Sequence, residues 1–314
     1  MTTRARRSRQ SGVALILVIW ATVLIAVIAG AFIDERRSEA LIVGNSVSMA
    51  RAAAAADAGV QRALLDAFRG DAAPDAWKRD GQPHDWVFDG IPVRVEMRDE
   101  SAKIDVNTAS EPLLRGMLLS VGVEEDEAAR LLDAILDWRD PDTLRRPNGA
   151  EEPEYRAAGL SYRPANAPFE AIEELQLVLG MRPEIYRRIA PMITVYSKQP
   201  GINPAIAPRE ILLAIPGVTP ELVDDYIRRR TDALAASQPV PPFPQAAAYT
   251  SGASMVTDVR AEARLDDGTY FSRDAVALLR SVPRRPVAYL VWRESTAPPP
   301  APDAGAPGAP GGNG

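Results

Sequence analysis

Hydrophobic and polar positions follow three regimes along this chain, and each predicts a different kind of element. In the first, residues 13–33 (VALILVIWATVLIAVIAGAFI) run twenty-one positions without a charge. As a helix rising about 1.5 Å per residue this run is about 31 Å long, close to the hydrocarbon thickness of a bilayer. Arg4, Arg6, Arg7 and Arg9 precede it with no acid among the first twelve residues, and Asp34, Glu35, Arg36 and Arg37 follow. That asymmetry predicts a single membrane-spanning helix with a cytoplasmic N-terminus and everything after Asp34 outside the cytoplasm. Apolar residues at spacings of three and four continue through Leu41, Val47, Ala54, Val60 and Leu64 without a proline. They extend the helix through residues 34–69 to a total length of about 84 Å, with a separate stalk helix after a plain anchor as the alternative.

The second regime has a period of two. After a loop over 70–83, alternation through Trp86 and Phe88, through Ile91, Val93, Val95 and Met97, and through Ile104 and Val106 predicts strands of a half-buried antiparallel sheet. Trp77 and Trp86 are placed at the edge of its core. At Asn107-Thr108-Ala109-Ser110 the alternation stops at good helix-capping residues, and helical spacing takes over. Helices are predicted over 111–120, 124–138, 171–179, 182–190, 208–215 and 219–230, with two Asn-led hairpins that look like an internal duplication. Period two returns over 255–265, an Asp266-Asp267-Gly268 turn follows, and strands resume over 269–280 and 287–292. The pattern describes an α+β chain: a long N-terminal helix, a sheet formed by 70–107 and 237–296, and a large helical insertion over 108–236. Residues 297–314 (APPPAPDAGAPGAPGGNG) show no apolar periodicity and predict a disordered tail.

Composition narrows the chemistry. There is no cysteine, so no disulfide, thiol nucleophile or thiolate metal site exists, and the only histidine, His84, sits beside Pro83 with no nucleophile motif near it. Neither fact supports catalysis, and the chain is expected not to be an enzyme. Leu212-Leu213-Ala214-Ile215-Pro216-Gly217-Val218 resembles a helix-hairpin-helix, and Arg228, Arg229 and Arg230 lie nearby. The formal charge of −6 and the lack of a broad basic patch argue against nucleic acid as a partner.

The stretch Arg9-Gln10-Ser11-Gly12 ends a basic leader on glycine, with the apolar run starting at Val13. It resembles the leader of type IV pilins and of the pseudopilins of type II secretion. The resemblance implies cleavage by a prepilin peptidase between Gly12 and Val13, methylation of Val13, and a leader of residues 1–12. Losing its four arginines takes the mature charge to −10. Most members carry glutamate at the fifth mature position; Leu17 stands there instead. In that respect the chain is similar to the minor pseudopilin called protein K of the general secretion pathway.

A loop after the second predicted helix of the insertion gathers Asp137, Asp140, Asp142, Asn148, Glu151 and Glu152 between prolines. On its chemistry alone it is either a solvated acidic loop or a site for a hard cation such as calcium, which prefers six to eight oxygen ligands. The surrounding motifs carry the resemblance further. Lys103-Ile104-Asp105-Val106-Asn107, Asp137 to Asp142, Pro147-Asn148-Gly149-Ala150-Glu151 and Arg163-Pro164-Ala165-Asn166-Ala167-Pro168-Phe169 look like the protein K signature. The family implies a pilin-like sheet with a helical insertion and a structural calcium, with Asp140, Asp142, Glu151 and Glu152 as ligands and Asp137 and Asn148 beside them. It also implies a place in the tip complex that initiates a periplasmic pseudopilus and supports protein export. Its partners there are minor pseudopilins I and J, other pseudopilins and the inner-membrane assembly platform. The implied location is the inner membrane, single-pass, with the bulk periplasmic. Other readings are a subunit at the tip of a type IV pilus and a stand-alone membrane-anchored interaction domain.

Overall fold

Small side chains on one face of the N-terminal helix determine how closely it meets the sheet. The computed structural model describes residues 11–295 except 71, 72, 74, 245, 281 and 283, and omits the side chains of 11–14, 31–38 and 40. Most of the expected leader and the tail over 297–314 therefore lie outside the described residues. Helix α1 (Ser11–Arg69) is a single element of 59 residues, about 88 Å long. In its second half Ala52, Ala55, Ala56, Val60, Ala63 and Leu64 are buried against Val93, Val95, Val259, Ala261, Ala275 and Ala277 of the sheet. At Gly59 a Cβ would come within 2.9 Å of Val93 Cγ1 and 3.0 Å of Val95 Cγ2, so the missing side chain is what lets the helix settle.

The sheet consists of β1 (Asp80–Phe88), β2 (Ile91–Asp99), β5 (Val256–Arg264), β6 (Tyr270–Leu279) and β7 (Val287–Glu294), all antiparallel and in that spatial order. Neighbouring strands β2 and β5 are separated in sequence by a second body with its own core. It comprises β3 (Ile104–Asp105), α2 (Glu111–Ser120), α3 (Glu125–Arg139), α4 (Glu152–Ala157), α5 (Pro183–Ile189), β4 (Ile193–Thr194), α6 (Arg209–Leu212) and α7 (Pro220–Ala235). This α+β architecture, a long helix on an antiparallel sheet with a helical insertion, is the one the sequence pattern predicts.

Three local expectations differ. The alternation at 103–107 does not extend the main sheet: β3 pairs in parallel with β4 inside the helical body. Residues 100–102 form a short turn of 3-10 helix that carries the chain off the sheet. The segment expected as a helix over 171–179 is a 3-10 helix at Ile172–Leu177, and α4 occupies what reads as loop.

The expected single-pass inner-membrane topology, with a cytoplasmic N-terminus and a periplasmic bulk, is overturned. Among the described residues no helix is long and apolar enough to cross a membrane. Helix α1 instead continues unbroken past the apolar run through the charged segment that follows it.

The two bodies are fastened where the chain leaves and re-enters the sheet. Asp99, at the end of β2, accepts hydrogen bonds from Ser254 N (3.0 Å) and Ser254 Oγ (2.7 Å) and pairs with Arg79 at 2.9 Å. Lys103 pairs with Glu100 at 2.6 Å and reaches Asp258 of β5 at 2.8 Å, while Thr194 Oγ1 donates to the other Glu100 oxygen.

Candidate functional site

The acidic loop is built on the C-terminal end of α3. Asp137 occupies the last turn with a fully buried side chain, and the chain doubles back so that Arg146 N donates to its two oxygens at 3.2 and 3.3 Å. Gly149 then passes directly over it, where a Cβ would overlap Asp137 Oδ2. Burial is the main cause that pushes the Asp137 carboxyl up to about 6; the Arg146 amide opposes this and the Asp140 charge adds to it. The same two influences, burial first and neighbouring carboxylates second, raise Asp140 and Glu151 above the ordinary range.

Around this anchor the separated sequence motifs interlock. Asn107 Nδ2 donates to Phe169 O at 2.9 Å and Phe169 N donates back to Asn107 Oδ1 at 2.8 Å. Arg139, the last residue of α3, donates to Val106 O and, at 3.2 Å, to Ala109 O. Trp138 stacks on Phe169 with ring centroids 5.9 Å apart. These contacts tie three of the motifs into one unit, and a cleft of about 510 Å³ opens beside it, bordered by Thr143, Glu151, Glu152, Arg163 and Asn166.

The candidate ligands separate into two groups. Asp140 Oδ1 and Glu151 Oε1 are enclosed and have no hydrogen-bond partner among the described residues. Asp142 lies next to Asp140 but spends one oxygen on Leu144 N at 2.8 Å. Asn148, by contrast, turns its amide to Asp133 at 3.1 Å, and Glu152 pairs with Arg156 and, at 3.7 Å, with Arg163. One candidate was absent from the sequence reading: Asn166, whose Oδ1 is likewise enclosed without a partner and whose Nδ2 donates to Asp142 O. Its φ of +48° is a left-handed conformation that asparagine tolerates better than most residues. The motif Pro164-Ala165-Asn166 was visible, but nothing in its spacing said that the side chain turns toward Glu151. Among the described residues no group of three or more carboxylates, histidines or cysteines already stands in metal-binding geometry.

Elsewhere the candidate chemistry is accounted for by packing. His84 stacks on Trp77 at 4.9 Å within β1. The arginines of the hairpin-like segment are internally engaged: Arg228 and Arg229 with Asp225, and Arg230 with Pro204 O and Ala207 O. Gly12 and Val13 lie in the first turn of α1, the Val13 side chain outside the described residues, and Leu17 is 65% exposed.

Residues 95–201, which contain the interlocked motifs, match the family model for protein K of the type II secretion system. Similar proteins include type II secretion system protein K of Pectobacterium carotovorum subsp. carotovorum, 37% identical over 81 residues, 26% of this chain and 25% of that protein. The same protein of Pseudomonas aeruginosa is 28% identical over 146 residues, 42% of this chain and 44% of that one. The matched stretches thus span between a quarter and less than half of these relatives' length. A chain of the GspK–GspI–GspJ complex from enterotoxigenic Escherichia coli shares the fold, with a TM-score of 0.58 and 16% identity over 84% of this chain and 100% of that one. Over residues 95–201 the chain is thus similar to protein K of the type II secretion system, and it shares its fold with a chain of the GspK–GspI–GspJ complex.

Proposed function

We propose that this chain is a minor pseudopilin that joins minor pseudopilins I and J in the tip complex of a type II secretion pseudopilus, initiating the filament and supporting protein export. The observation that carries the reading is one chain combining a pilin-like helix on a sheet with a helical body that holds the protein K motifs. The role is assembly rather than catalysis. Exposed apolar residues along α1, among them Leu41, Ile42, Val43 and Val47, suit a helix that packs beside the helices of other subunits. Leu17 offers no carboxylate to the N-terminus of a subunit above it, and the bulky helical body obstructs stacking there, so the top position is the one it fits. Quantitative cross-linking and mass spectrometry of assembled pseudopili should find about one copy per filament, joined to proteins I and J. Copies repeated along the shaft would sink the proposal.

The N-terminus is part of the same reading. Cleavage after Gly12 by the prepilin peptidase leaves Val13 as the methylated first residue, and the mature protein then engages the other pseudopilins and the assembly platform. Intact mass and N-terminal sequence from cells with and without the peptidase test it; an uncut chain in both removes this step.

Calcium is the ion we assign to the acidic loop. The donors fit a hard cation: enclosed, unpartnered oxygens on Asp140, Glu151 and Asn166, with Asp142 adjoining and Asp137 fixing the loop from beneath. A bound ion would neutralise carboxylates that burial and mutual repulsion disfavour as anions. At pH 7.5 millimolar calcium should raise the melting temperature by several degrees, and Asp140→Asn or Glu151→Gln should abolish the rise. The pH dependence has a definite sign. A carboxyl whose pKa is raised on folding contributes stability that is fully present below about 4 and lost as pH rises through about 6. In chelator the protein should therefore become more stable on acidification from pH 7.5 to 5, by about 1–1.5 kcal/mol from Asp137. The calcium increment should vanish over the same window. A calcium response that is absent at pH 7.5, or unchanged at pH 5, would count against the site.

A further inference from the structure

A second cleft, about 430 Å³ in volume, lies between the outer face of the sheet and the helical body. Charged side chains line it, and nearly all are matched inside the protein. Lys103 holds Glu100 and Asp258, Arg260 pairs with Asp274 at 2.9 Å, and Arg293 approaches Glu173 at 3.5 Å. Arg98, which projects from β2 into the same cleft, and Glu96 on the same strand are the exceptions among the described residues. The Arg98 Nε is enclosed with no acceptor, and its guanidinium makes no ion pair among the described residues.

Its cross-strand neighbours in the ladder are both acids, Asp80 and Asp258, yet neither takes it. Asp80 Oδ1 accepts from Gln82 N at 2.9 Å, and Asp258 is held by Lys103. Strand β1 also gives way at this point. Its register slips between Asp80 and Pro83, and Gly81 takes a φ of +81°, where a Cβ would overlap Arg98 Nε and Nη2. A bulge and a glycine thus form a notch around a guanidinium that the protein itself leaves unsatisfied.

We propose that this cleft binds a carboxylate on Arg98. A planar guanidinium presents parallel donors that match a carboxylate in a fork, which a lysine ammonium does not. Glu96, exposed and two residues away on the same face of β2, sets the limit: it repels multiply charged anions such as phosphate and admits a single carboxylate. The carboxylate arrives either as a glutamate or aspartate side chain of a peptide segment or as a small free acid.

The test uses the full ¹⁵N-labelled chain and follows the Arg98 Nε–H and the backbone amides of Gly81 and Met97 by NMR. The probes are the capped peptide acetyl-Ala-Glu-Ala-amide, its glutamine counterpart, sodium propionate and inorganic phosphate, all at matched ionic strength. Saturable shifts from the glutamate peptide that are absent with the glutamine peptide and with phosphate are expected. Tighter binding of the peptide than of propionate identifies a protein segment as the source, and equal binding a free acid. Arg98→Lys, which keeps the charge but not the fork, should weaken the peptide about tenfold or more at the backbone probes. Gly81→Ala, which fills the notch, should displace the Arg98 Nε–H signal before any probe is added. Equal shifts from the glutamine peptide, or undiminished binding in a folded Arg98→Lys protein, would overturn the assignment.

Discussion

Lys103→Ala is expected to lower the melting temperature by about 10 °C. Lys103 is the single cation between Glu100 and Asp258, and the Glu100 side chain it holds is only 2% exposed. Burial opposes the Lys103 charge, but Asp258 and Glu100 outweigh it and hold its pKa above the ordinary lysine value. Glu100 itself is raised by burial, with the Lys103 charge as the main opposing influence. Removing the cation leaves an uncompensated buried carboxylate, which costs about 3–5 kcal/mol. For a chain of this size each kcal/mol corresponds to about 2–4 °C. A double variant, Lys103→Met with Glu100→Gln, takes out both charges of the pair and should recover much of the loss, because no buried carboxylate is then left unpaired at Glu100. Calorimetry on the full chain decides the matter: a drop below about 2 °C for Lys103→Ala would show that water, not Lys103, satisfies Glu100. Hydrogen exchange adds a spatial check, with protection falling in β5 and β3 while the α2–α3 hairpin keeps its own.

Gly149→Ala carries the second large effect. The added methyl has nowhere to go, because Asp137 Oδ2 occupies the position and Arg146 Cβ lies 3.2 Å away. Either the buried carboxylate moves off its backbone donors or the loop lifts, at a cost of about 1–3 kcal/mol for overpacking and more if the hydrogen bonds break. The calcium response should disappear with it, since the loop would no longer hold Asp140 and Glu151 in place. In an Asp137→Ala background the further penalty of Gly149→Ala should shrink, because the atom it meets has gone. If the two substitutions were additive, the proposed contact between Gly149 and Asp137 would be wrong.

The elements with long, clean periods were legible from residues alone. Val93, Val95 and Met97 alternate with charged neighbours, and their buried face is the one that α1 covers; the Asp266-Asp267-Gly268 turn sits between β5 and β6 as expected. Short elements held by distant partners were not legible. Ile104 and Asp105 alternate like sheet residues but pair with Ile193 and Thr194, far along the chain, and no local pattern announces such a partner. The same reason divides the acidic loop. Composition and motif resemblance collected six candidate oxygen donors, but whether each turns inward depends on what else lies within reach. Asp133 draws Asn148 away and Arg156 draws Glu152, whereas Asn166 arrives from a loop whose sequence reads as mere connection. The unbroken charge-free run at 13–33 was the loudest signal in the sequence, yet among the described residues no helix is long and apolar enough to cross a membrane.

The junction between the two bodies has a consequence for how the chain reaches its fold. Asp99 and Thr257 are ladder partners, so the point where the helical body begins and the point where it ends lie side by side in neighbouring strands. Before that body collapses, joining β2 to β5 means closing a loop of about 160 residues, an entropic obstacle that grows with the logarithm of its length. Once the body has folded, its two ends emerge together and the pairing becomes nearly local. Folding of the helical body first is therefore expected to speed closure of the middle of the sheet, and α1 has its full binding surface only once β2 and β5 are joined.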